Sequence, residues 1–157
     1  MKKSVRIDYV LMCEDIRAEV GNKSSAMGIF TDDVGVLQFP IQFPKFCFLV
    51  HGTVLSKDRQ LRFSATLNYP GLPPFILAKD AELRLNKAPG GFVLNLVMAP
   101  LLLPAPGEGQ LELIFGTTRY SRKFQVQQAT QEQLFGRKIN PLSHQIRLPA
   151  SDSPQKQ

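Results

Sequence analysis

From Leu61 to Asn68 apolar and polar residues alternate without a break: Leu61, Phe63, Ala65 and Leu67 against Arg62, Ser64, Thr66 and Asn68. A period of two belongs to a pleated strand with one buried face, and no helix can satisfy it. The same pattern recurs in Phe92, Leu94, Leu96 and Met98, and in Leu111, Leu113 and Phe115. It recurs again in Tyr120, Arg122, Phe124 and Val126, with Gly116–Arg119 as the turn of a hairpin. No window of twelve or more residues before Gln127 shows a helical period. Short strands separated by turn signals predict an all-β chain: a single β-sandwich of about eight mostly antiparallel strands. Lys45–Leu55 is apolar on both faces at first and reads as a central strand. Val34–Pro44, with two Phe-Pro pairs, reads as extended edge backbone, because proline donates no ladder hydrogen bond. Tyr69–Pro74 and Pro100–Gly109 read as loops, and the aliphatic and proline residues of Tyr69–Phe75 and Leu101–Pro106 either cover the core or form a contact surface.

The stretch Leu11–Phe30 concentrates the unusual residues. Apolar residues occupy odd positions up to Cys13 and even positions from Ile16, and a regular strand cannot change phase in this way. The switch predicts a β-bulge near Glu14–Asp15. Gly21-Asn22 then tolerates the positive φ of a tight turn, and Lys23–Phe30 returns as the second strand of a hairpin. Glu14, Asp15, Arg17 and Glu19 form the candidate site. They are expected either to hold the bulge, with Arg17 pairing a carboxylate, or to make a polar recognition patch on the first sheet.

The string C-E-D-I-R-x-E-x-x-x-K-x-S-x-x-G-I-F resembles the N-terminal signature of a family of small bacterial proteins built on a domain of unknown function. The matching positions are Cys13, Glu14, Asp15, Arg17, Glu19, Lys23, Ser25, Gly28 and Phe30. The run Phe39–Phe48 and the closing strand pair up to Val126 fit the same family. The resemblance implies a compact β-rich bacterial domain with no established activity.

Chain length and charge bound the rest. At 157 residues the chain makes one domain, predicted over 1–128, with a flexible or docked tail over 129–157. A short helix at Thr130–Phe135, capped by Thr130, would open that tail. From Arg119 onward seven Lys and Arg face two acids, so most of the net charge of +6 lies at the end of the chain. Arg137, Lys138 and Arg147 are the candidate contacts for a polyanion. The longest apolar stretch, Phe92–Leu103, contains Asn95 and Pro100 and is far short of the roughly 20 residues of a membrane helix. The basic start carries too short an apolar run for a secretion signal, so a cytoplasmic protein without membrane contact is expected. Cys13 and Cys47 read as reduced core thiols.

None of this spells out chemistry. Cys13, Cys47, His51 and His144 lack zinc spacing, and Asp32, Asp33 and Asp58 lack a calcium-loop repeat. No cofactor or metal is expected. Three functions stay open. The first is a non-enzymatic interaction module that binds another protein or itself through a sheet edge or the Pro-rich loops. The second is a nucleic-acid-associated protein using the basic tail. The third is a cysteine-dependent enzyme built on Cys13 and His51.

Overall fold

The computed structural model describes residues 4–21, 23–31 and 33–135. Eleven strands run in chain order: β1 Val5–Glu19, β2 Lys23–Phe30, β3 Val34–Val36, β4 Ile41–Phe43, β5 Phe46–Val54 and β6 Gln60–Asn68. They continue as β7 Phe75–Arg84, β8 Gly90–Met98, β9 Leu101–Leu103, β10 Gly107–Phe115 and β11 Thr118–Gln128. The first sheet has the order β2-β1-β5-β8, and the second has β3-β11-β10-β6-β7. A two-stranded ribbon, β4-β9, stands beside them. The fold is all-β, and among the described residues only the β3–β11 pair is parallel. Three strands exceed the expected number because β3, β4 and β9 are three residues each. The last of these, Leu101–Leu103, falls inside the segment expected to be a loop.

The two sheets share one core. Val10, Met12, Phe46, Phe48, Leu94 and Leu96 of the first meet Phe63, Leu67, Leu111, Leu113, Phe124 and Val126 of the second. The ribbon adds Phe43, Leu101 and Leu103, all buried. Phe46 stands at the centre of an aromatic cluster, with ring centroids 5.4 to 5.9 Å from Phe43, Phe48, Phe30 and Phe124. Side chains of this size each contribute about 1.5–3 kcal/mol on burial, which is why such a chain needs no staple. Arg122 reaches from β11 across to the first sheet, donating to the carbonyls of Val10 and Thr31.

Two glycines let phenylalanine rings lie over the backbone. Gly52 pairs with Phe92 in the first sheet, and Gly109 pairs with Phe124 in the second. A Cβ on Gly109 would stand 2.7 Å from both Cε atoms of Phe124, so the ring fills the space that a side chain would take.

The phase switch in β1 is real, but it lies elsewhere. From Met12 to Glu19 the register with β2 is unbroken, so no bulge exists at Glu14–Asp15. The irregularity falls between Ile7 and Tyr9 in the pairing with β5, which makes Asp8 the extra residue. Val5 and Ile7 pack toward the core before it, and Val10 and Met12 after it.

Past β11, Thr130 and Gln133 cap one another. The Gln133 N–H donates to Thr130 Oγ1 at 3.2 Å, and the Thr130 N–H donates to Gln133 Oε1 at 2.8 Å. This reciprocal capping opens the five-residue helix α1, Gln131–Phe135. The Ala129 N–H donates to the Val36 carbonyl at 2.8 Å, and the Leu134 side chain covers Gly35 on β3.

Candidate functional site

An antiparallel sheet with one wet face normally shows polar residues there. The outer face of the first sheet departs from that rule, and its geometry follows from strand register. Tyr9 lies opposite His51, Leu11 opposite Leu49 and Cys13 opposite Cys47. On the flanks, His51 faces Val93, Cys47 faces Val97, Cys13 faces Ile29 and Asp15 faces Met27. Cys13 and Cys47 are fully buried and Leu49 is nearly so. Around them Tyr9, Met27, Ile29, Val93 and Val97 are 45–50% exposed. The apolar set runs across all four strands.

Charged clusters close the two ends of this face. The Asp8 bulge builds one, by bringing two successive residues out on the same side. Thr53 Oγ1 donates to Asp8 Oδ2 at 2.7 Å, and Arg6 Nε donates to Asp8 Oδ1 at 2.7 Å. His51 Nδ1 lies 3.1 Å from Asp8 Oδ2, while Tyr9 stacks on the imidazole at 4.9 Å. The Thr53 hydrogen bond, with the Arg6 bond next, holds the Asp8 carboxyl below its ordinary range. Sequence reasoning did not find this cluster. Its signal was the apolar change from Val5 and Ile7 to Val10 and Met12, which centres on Asp8.

The expected site forms the other end. Lys45 Nζ donates to Asp15 Oδ1 at 3.0 Å, and Arg17 Nε reaches Asp15 Oδ2 at 3.4 Å. The Lys45 hydrogen bond comes first in holding the Asp15 carboxyl below its usual value, opposed by partial desolvation. Glu19 accepts a 2.6 Å hydrogen bond from Ser25 on β2. Three of the four expected residues therefore share one face, with Lys45 as a partner the sequence did not reveal. Glu14 turns the other way and lies over Gly28, where a Cβ would come within 2.6–2.9 Å of its side chain. Arg17 is about two-thirds exposed and pairs Asp15, not a buried carboxylate. The candidate contacts Arg137, Lys138 and Arg147 lie outside the described residues.

Cys13 and His51 are not brought together. Cys13 pairs with Cys47, and His51 is four residues further along β5, about 13 Å at strand rise. Burial first, and the neighbouring Cys47 second, push the Cys13 thiol up to about 11. Burial likewise raises the Cys47 thiol. Thiols held in the neutral form are poor nucleophiles and poor metal ligands. Among the described residues no three His, Cys, Asp or Glu side chains converge as a metal ion would require. Among them, too, no helix is long and apolar enough to cross a membrane.

Neither a protein-family model nor a curated protein matches the chain. Among solved structures, the N-terminal domain of PorA is similar at 10% identity, over 76% of this chain and 98% of that one. The TM-score is 0.22, and a likeness that loose carries no argument. The reading of function rests on the face itself.

Proposed function

We propose that this protein is a non-enzymatic β-sandwich interaction module that associates with a second copy of itself through the outer face of the first sheet. The observation behind the reading is the apolar set spanning β2, β1, β5 and β8, half exposed at its perimeter and closed at both ends by charge. Four strands spaced ~4.8 Å apart and about seven residues of length give a face of roughly 300–400 Å². The largest apolar patch on a typical monomer is about this size and is often a contact surface.

Self-pairing suits its charges. Each end carries both signs: Arg6 with Asp8 at one, Lys45 and Arg17 with Asp15 at the other. A two-fold axis lying across the strands sets one end of a copy over the opposite end of its partner, so that no cluster meets charge of its own sign alone. Two such faces bury roughly 600–800 Å² in all, below the size of a stable complex, so the dimer is weak and reversible. We further propose a cytoplasmic location, a compartment that keeps two adjacent buried thiols reduced.

Sedimentation equilibrium across a wide concentration range tests this. The wild-type mass should rise toward the dimer, while Val97→Lys and Ile29→Lys should remain monomeric with unchanged circular dichroism. A wild-type chain that stays monomeric at millimolar concentration, or lysine variants that associate as the wild type does, would overturn the reading. The first of these results would assign the face to a different protein.

A further inference from the structure

We propose that the cleft between the end of β7 and the start of β8 binds a small organic anion, a phosphate or carboxylate carried on an apolar body. The cleft encloses about 760 Å³, within the ~300–1,000 Å³ of small-molecule sites. Arg84, Lys87, Asn86 and His51 stand around it, over a floor formed by the half-exposed Val93 with the almost buried Leu85 and Phe92 beneath. No carboxylate lines it. Lys87 brings an unpaired positive charge to the cleft and Arg84 a second cation, balanced in part by Glu82 just outside the lining, and this local excess of positive charge draws anions.

The local chain geometry keeps these groups available. Arg84 pairs through Nε with Glu82, which leaves its terminal nitrogens unengaged by that contact. No ion pair engages Lys87 among the described residues. His51 is anchored at Nδ1 by Asp8, so its other nitrogen is turned toward Gly91, where a Cβ would stand 3.7 Å from Nε2. Glycine at position 91 thus leaves the imidazole open to the cleft. At Gly90 a Cβ would strike the Lys87 carbonyl, so only glycine permits the tight approach that sets Lys87 at the mouth.

Size and polarity define the ligand class. An inorganic anion leaves most of the volume empty and the apolar floor unused. A nucleic acid strand needs a longer basic track than two cations supply. A single acidic group on an aromatic or aliphatic body engages both parts, with guanidinium and ammonium donating charge-assisted hydrogen bonds. The cleft shares His51 and Val93 with the proposed self-association face, so its test uses Arg84 and Lys87, which that face does not include.

The experiment is an amide ¹H–¹⁵N titration of the full chain with phenyl phosphate, benzoate, inorganic phosphate and phenol in turn. Phenyl phosphate or benzoate should shift the amides of His51 and of residues 86–93, and the stronger of the two identifies the acid group. Inorganic phosphate and phenol, each lacking half of the ligand, should bind at least about tenfold more weakly. Lys87→Ala and Arg84→Gln, both exposed and leaving the spectrum otherwise unchanged, should each weaken binding by about tenfold, one charge-assisted hydrogen bond. The proposal fails if neither organic anion moves these amides at tens of millimolar, or if both variants bind as the wild type does.

Discussion

Gly109→Ala separates close approach from mere strand propensity. In an ordinary strand interior, alanine in place of glycine is favourable by about 0.5–1 kcal/mol, because glycine loses more freedom on folding. Here the new methyl group would meet the Phe124 ring at 2.7 Å from two carbons and closer still to Cζ. The ring must retreat by about 1 Å or more to restore contact distance. Behind it stand Phe46, with centroids 5.9 Å apart, and Phe48, at 5.8 Å. Overpacking of this kind costs about 1–3 kcal/mol. The balance is a loss centred on about 1 kcal/mol and reaching about 2.5 kcal/mol, the central value being roughly 2–4 °C in melting temperature for a chain of this size. Far-UV circular dichroism with urea is the assay, since the protein has no tryptophan. Phe124→Leu supplies the control, because a smaller, flexible side chain gives way. In that background the penalty of Gly109→Ala should shrink below about 0.5 kcal/mol, the limit of additivity for independent sites. A Gly109→Ala variant as stable as the wild type, or an equal penalty in both backgrounds, would refute the reasoning.

Thr53→Val should raise the Asp8 carboxyl toward 3.8, by removing the largest cause of its depression. A carboxylate lowered in the folded state stabilises above its unfolded value, and that contribution is lost as pH falls through the folded one. The melting-temperature gap between wild type and Thr53→Val should therefore close between about pH 6 and about pH 2, and a gap constant over that range would count against the cluster. Both thiols should resist an aromatic disulfide reagent in the native protein at mildly alkaline pH, because burial holds Cys13 at about 11 and raises Cys47. Both should react in denaturant; rapid labelling of the native chain would show that the outer face opens.

Strands with one wet face were fully legible. β6, β8 and β10 alternate in the sequence as they do in space, and β5, apolar on both sides, is indeed central, between β1 and β8. The bulge was legible in kind and misplaced in position for one reason. Tyr9, Leu11 and Cys13 are apolar yet point away from the core, so the outer face was read as the inner one, and the phase change moved seven residues downstream. Three-residue strands between prolines, such as β4 and β9, show no period at all. The parallel pairing of Val34–Val36 with Val126–Gln128 leaves no local trace, since it joins segments some ninety residues apart. At the site, Asp15, Arg17 and Glu19 could be placed by alternation alone. Lys45 could not, because a partner on another strand is fixed by register.

The strand order also sets a timetable. β1 with β2, β6 with β7 and β10 with β11 are hairpins that close as soon as they are made. β5 already has β1 as a neighbour when it emerges, and it must wait for β8 to cover its other edge. β3 waits longest: among the described residues its ladder partner is β11, the last of the described strands. Arg122, which ties the second sheet to Val10, arrives with that same strand. A nascent chain therefore carries an apolar half-sandwich with open strand edges until Gln128 is free of the ribosome. Folding that depends on such distant pairings is slow and exposed to aggregation. The eleven residues of β11 thus act as a latch, and truncations inside β11 should yield insoluble chains rather than weakened ones.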